Sequence, residues 1–93
     1  MPVVVAIPGP LQPYAGGRDT VEVRARCDTV GDALLALGEE YPGVRDRVLT
    51  EQGDVRQHLN VFVDEDNVRF ARGLATPVSE GSRVTILPAV SGG

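Results

Sequence analysis

The 93-residue chain has no lysine and no tryptophan, a single cysteine, a single histidine, and two residues each of tyrosine and phenylalanine. All nine basic residues are arginine, set against thirteen acidic ones, for a formal charge of -4. Without a basic stripe to neutralise phosphates, the composition argues against nucleic acid as a direct ligand. Anionic membrane surfaces are excluded by the same reasoning. Long hydrophobic runs are also missing. The longest aliphatic stretch, Val3 to Ile7, is far too short to span a bilayer, and no basic segment leads into an apolar one at the N-terminus. A cytoplasmic protein is expected. Cys27 cannot form an intramolecular disulfide, which fits a reducing compartment, and it offers no cysteine cluster for zinc or iron–sulfur.

What is present is enough for one small core. A chain this short buries roughly 60–65% of its extended surface on folding, with a net stability of about 5–10 kcal/mol. The β-branched run Val3-Val4-Val5 reads as a strand buried on both faces, closed by Pro8, Gly9 and Pro10. A loop through Pro13, Tyr14, Gly16 and Gly17 follows. Residues 20–27 then alternate apolar with polar, as a strand with one solvated face should, and complete an antiparallel hairpin.

Thr29 with Asp32 three residues on is a helix start, and Val30, Ala33, Leu34, Leu37 and Tyr41 fall at the spacing of one helical face. Pro42-Gly43 ends that helix, and residues 44–49 can form a short second turn of helix before a polar loop over 50–55. A third strand is expected over 58–63. Asp64-Glu65-Asp66-Asn67 is then a turn into Val68-Arg69-Phe70, and residues 73–78 are a connection. After the Glu80-Gly81 turn, residues 83–90 form the last strand, with Val84 and Ile86 on one face and Thr85 and Leu87 on the other. Hairpin, helix, then short strands describe an α+β layout, in which one main helix crosses a mixed sheet of four to five strands with the first and last strands central. This is the β-grasp, ubiquitin-like arrangement.

The chain finishes Leu87-Pro88-Ala89-Val90-Ser91-Gly92-Gly93. Average glycine usage puts Gly-Gly at a given terminus in roughly one chain in 200, so the pair by itself is compatible with an ordinary frayed end. Its chemistry suggests more. Two residues without β-carbons pass through a narrow channel, so the Gly93 carboxylate can approach an enzyme-bound nucleotide without a side-chain clash. Adenylation would turn a poor acyl donor into a good one, open to a sulfur nucleophile.

Residues 64–70, 73–76 and 80–93, with the apolar first strand, the Gly16-Gly17 loop and the Thr29-Val30-Gly31-Asp32 helix start, resemble the MoaD/ThiS sulfur carriers. Ser82, where Asp is common, and Ser91, where a small apolar residue or Thr is usual, depart from that pattern. The resemblance implies a single carrier domain over residues 1–93 with a flexible tail from about residue 89. It implies no catalytic residue in the chain itself and Gly93 as the site of adenylation and thiocarboxylate formation, with Gly92, Ser91 and Val90 forming the tail.

The implied partners are an E1-like adenylyltransferase with sulfurtransferase function, a pyridoxal-phosphate cysteine synthase and a metal-dependent peptidase that releases the new cysteine. ATP, pyridoxal phosphate (PLP) and zinc thus belong to the partners, and the chain binds no cofactor. Carriers for molybdopterin, thiamine or tRNA thiolation, and ubiquitin-like modifiers joined to lysine amines, share such a tail.

Leu87, one strand-step from the inward Val84 and Ile86, is a docking candidate beside the tail, with Phe62 and Phe70 as further ones; ordinary packing is the competing reading of all three. Cys27 and His58 come from different strands with no third group, which argues against a Cys–His nucleophile. Asp64-Glu65-Asp66 lacks the ligand spacing of a calcium loop and reads as a charged turn. The Gly9 and Gly16-Gly17 loops match no phosphate-binding pattern.

Overall fold

The computed structural model describes residues 2–88. Five strands, β1 (Val3–Ala6), β2 (Thr20–Val23), β3 (Leu59–Val63), β4 (Asp66–Asn67) and β5 (Arg83–Pro88), form one sheet in the order β2-β1-β5-β3-β4. The first and last strands are neighbours and run parallel, while β1–β2, β3–β5 and β3–β4 are antiparallel. Two helices, α1 (Val30–Glu40) and α2 (Pro42–Val48), accompany the sheet. This is the β-grasp fold, a mixed α+β architecture.

Parity along the strands explains the packing. Val3 and Val5 on β1, Val61 on β3, and Val84 and Ile86 on β5 are all buried, and they share one apolar core with Leu34 and Leu37 of α1. The alternation of β5 follows its sequence: Val84 and Ile86 point inward, while Leu87 is exposed.

Helix α1 begins at a complete capping box. The Asp32 N–H donates to Thr29 Oγ1 at 3.2 Å, and Asp32 Oδ2 accepts from the N–H groups of Thr29 at 3.2 Å and Asp28 at 3.1 Å. These bonds satisfy backbone donors that helical geometry leaves without partners. Replacing Thr29 by Ala is expected to destabilise the fold by about 1 kcal/mol. Urea unfolding measures the effect, and an unchanged midpoint would mean that the cap adds nothing.

Several local expectations are corrected by the structure. Strand β2 stops at Val23 instead of Cys27: Val3 pairs Val23, so the next partner would be Pro2, which has no N–H to donate. Pro42 both ends α1 and opens α2, because its missing N–H is harmless in a first helical turn. Residues 44–48 are therefore part of a distinct second helix, with Val44 and Val48 buried. Gly9–Ala15, read as loop, is a 3-10 helix whose end turns through Gly16 at φ 65° while the Gly17 N–H donates to the Gln12 carbonyl. Asp66–Asn67, assigned to a turn, pair with β3 as strand β4, and Val68–Phe70 forms a 3-10 turn.

Candidate functional site

Strand β5 is the last element before the C-terminal tail; its first three residues pair with β1, and Val84 to Pro88 pair with β3. As the middle strand, β5 is bonded to β1 on one side and β3 on the other. Its start is clamped: the Asp64 N–H donates to the Arg83 carbonyl at 2.7 Å, and the Arg83 N–H donates to Asp64 Oδ1 at 3.0 Å. Asp64 sits at φ 53°, so the acidic turn uses a carboxylate to fasten two strands. Ser82, the departure noted in the sequence, is buried, and its Oγ accepts the Ser79 N–H at 3.0 Å. A side-chain oxygen thus closes the turn into β5, a role within the reach of Asp as well. Gly93, Gly92, Ser91 and Val90 lie outside the described residues.

Cross-strand register assembles the outer face of the sheet. Ala6, Thr85, Phe62 and Asn67 stand in one row, and Asn60 and Leu87 in the next toward the end of β5. Phe62 and Leu87 are diagonal neighbours, a relation that places such residues about 7–8 Å apart. The charged pair Glu22 and Arg83 belongs to the row at the opposite end, with Val4 between them. The half of the face nearer the tail is therefore neutral. Phe62 is half-buried there, and Leu87 is 45% exposed. Phe70 is 85% exposed on the turn after the edge strand β4. Neither aromatic belongs to the buried core. Exposed apolar groups next to a departing tail favour contact with another protein.

Cys27 and His58 are kept apart. Cys27 lines a cleft of about 730 Å³ with Arg24, Arg26, Asp28 and Ser79, whereas His58 lines a second cleft that includes Pro88. The Cys27 thiol donates to the Ala25 carbonyl at 3.3 Å. Burial raises its pKa, and the carboxylates of Asp32 and Asp28 raise it further. Less thiolate at neutral pH makes it a weak nucleophile. Among the described residues, no group of three or more His, Cys, Asp or Glu side chains could hold a metal ion. No helix among them is long and apolar enough to cross a membrane.

The second cleft was missed by the sequence reading. Its walls come from Pro8, Leu11, Arg47, Arg56, Leu59 and Pro88. No local pattern joins residues so far apart along the chain, and only the folded arrangement reveals them as neighbours.

The fold, the neutral face and the tail define a small ubiquitin-like carrier. The chain belongs to the ThiS family, which it matches over residues 5–93. It is 40% identical, over the whole of both chains, to the sulfur carrier protein CysO of Mycobacterium tuberculosis. The crystal structure of that CysO superposes with a TM-score of 0.85 at 39% identity, covering 95% of this chain and 99% of the other. CysO in the Amycolatopsis orientalis BexX/CysO complex is similarly close, with a TM-score of 0.85, 35% identity, and 98% and 99% coverage. Small archaeal modifier protein 3 of Haloferax volcanii is 40% identical over 70% of each chain.

Proposed function

We propose that this chain is a single-domain cytoplasmic protein cosubstrate rather than an enzyme, a sulfur carrier of the CysO type that serves cysteine biosynthesis. The observation that carries this reading is the likeness to Mycobacterium tuberculosis CysO, which extends over the full length of both chains. In the first step the Gly93 carboxylate oxygen attacks ATP in an E1-like adenylyltransferase, and pyrophosphate leaves. Hydrosulfide then displaces AMP from the acyl-adenylate to give a C-terminal thiocarboxylate. The thiocarboxylate sulfur next bonds to a three-carbon acceptor derived from activated serine in a PLP-dependent synthase. The new cysteine stays on Gly93 until a zinc-dependent peptidase hydrolyses the link. ATP, PLP and zinc sit on the partners in this scheme.

The body supplies docking in the same reading, through Leu87, Phe62 and Phe70. Support comes from the exposure of Leu87 and Phe70, with Phe62 half-buried between strands, on and beside the neutral half of the sheet. A CysO of similar fold is seen in complex with BexX.

Mass spectrometry of the C-terminal peptide from native-host protein tests the chemistry. An oxygen-to-sulfur exchange confined to Gly93 and trapped by alkylation is the expected result. Fragment localisation is required, because oxidation of Met1 or Cys27 adds nearly the same mass. An added cysteine on Gly93 would identify the pathway. A tail that stays unmodified after incubation with ATP, sulfide and host extract would defeat the reading.

The likeness to a small archaeal modifier protein favours a second reading, in which activated Gly93 is joined to lysine amines of other proteins. The chain itself contains no lysine, so it cannot build polymers on its own side chains. Gly-Gly remnants on lysines of host proteins would support conjugation.

A further inference from the structure

The second cleft adjoins the root of the tail and has an unusual charge for so acidic a chain. It encloses about 560 Å³ between Pro8, Leu11, Leu59 and Pro88 on its apolar side and Arg47, Arg56 and His58 on its polar side. Both guanidinium groups are held in place by backbone oxygens. Arg47 Nη1 donates to the Gly43 carbonyl at 3.1 Å, and the guanidinium carbon Cζ of Arg47 lies 3.5 Å from the centre of the Tyr14 ring. Arg56 donates through Nε and Nη2 to the Asp46 carbonyl, at 3.1 and 2.8 Å. The one acid of the lining, Asp46, pairs through its carboxylate with Arg45 at 3.6 Å. Neither Arg47 nor Arg56 has a carboxylate partner among the described residues. Among the described residues, two fixed positive charges therefore have no carboxylate partner beside an apolar floor, in a protein of net charge -4.

We propose that this cleft receives a segment of the adenylating enzyme, an apolar side chain flanked by carboxylates, when the tail enters that enzyme's active site. The inference rests on the carrier reading above. Pro88 is both a wall of the cleft and the last described residue, five positions before Gly93, so an enzyme that takes Gly93 works within about 17 Å of extended chain from this rim. Charge complementarity selects the occupant. Arginines already oriented by backbone bonds lose little freedom on meeting a carboxylate, and opposite charge speeds encounter. The cleft lies off the outer face that carries Leu87 and Phe62: Pro88 and its partner Leu59 have the inward parity of Ile86 and Val61. The enzyme thus grips the strand end from two sides.

The test is ATP-dependent sulfur loading by the adenylyltransferase of the same host, with the carrier concentration varied. Arg56→Glu and His58→Glu are each expected to raise the KM for carrier about tenfold with kcat unchanged. The KM of the unaltered chain should climb with added NaCl, and that of the variants much less. Among the described residues His58 makes no hydrogen bond or ion pair, so His58→Glu should melt normally and separates docking from folding. Arg26→Glu, on the other cleft, should leave KM unaltered. Normal loading with a KM indifferent to both cleft variants would overturn this proposal alone. Failure of the unaltered chain to be loaded would remove the carrier reading and this one together. A concentration-dependent dimer that His58→Glu dissolves would assign the cleft to a second copy and also overturn it.

Discussion

A chain lacking Gly93 is expected to lose sulfur loading by at least about 100-fold while its thermal unfolding stays unchanged. The size of the effect follows from geometry. Removing one residue draws the terminal carboxylate back by about 3.3–3.6 Å of extended chain. A reacting oxygen must come within about 3–3.5 Å of its target, and a displacement of only 1 Å costs about 100-fold. Adding one glycine after Gly93 should be equally damaging, because the carboxylate then overshoots. Stability should not follow, since the deleted residue lies five positions past Pro88, the last residue of β5. Loading is measured by mass spectrometry and unfolding by circular dichroism on the same samples. Full loading of the truncated chain would end the thiocarboxylate reading.

The converse result is expected for Leu34→Ala: a large loss of stability with the tail chemistry intact at low temperature. Leu34 is 2% exposed and sits in the single core shared by α1 and the sheet. Truncating such a leucine removes buried apolar surface and leaves a cavity, at a cost of about 2–5 kcal/mol. Against a total of about 5–10 kcal/mol, that is a large share. The melting temperature should fall by about 10–30 °C for a domain of this size. Loading assayed well below the lowered midpoint should proceed near the normal rate, because the residue is remote from Gly93 in function. A stability change under about 1 kcal/mol would show that the site collapses around the smaller side chain, contrary to the close packing described.

Taken together, the two variants separate what the body does from what the tail does. Deletion at the end is expected to stop the chemistry and spare the fold. Truncation of Leu34 in the core is expected to weaken the fold and spare the chemistry. Such a division is what the proposed role of protein cosubstrate requires.

The sequence by itself determined whatever is written in neighbouring residues. Thr29 and Asp32 announced the start of α1, because a capping box closes over three residues. Val84, Ile86 and Leu87 announced the two faces of β5, because alternation has a period of two. The terminal Gly92-Gly93 and the residues before it carried the family resemblance without any knowledge of the fold. Only the tertiary structure decided which distant residues meet. The end of β2 depended on Pro2 facing Arg24 across a strand pair, and β4 formed from two turn residues because β3 offered free backbone partners. The meeting of Phe62 with Leu87 came from the β3–β5 register. The cleft of Pro8, Leu11, Arg47, Arg56, His58 and Pro88 draws on four separate segments. Local rules of capping and periodicity act over a few residues. Register and packing act across the whole chain, so a cationic cleft made of solitary arginines exists only once the sheet has closed around it.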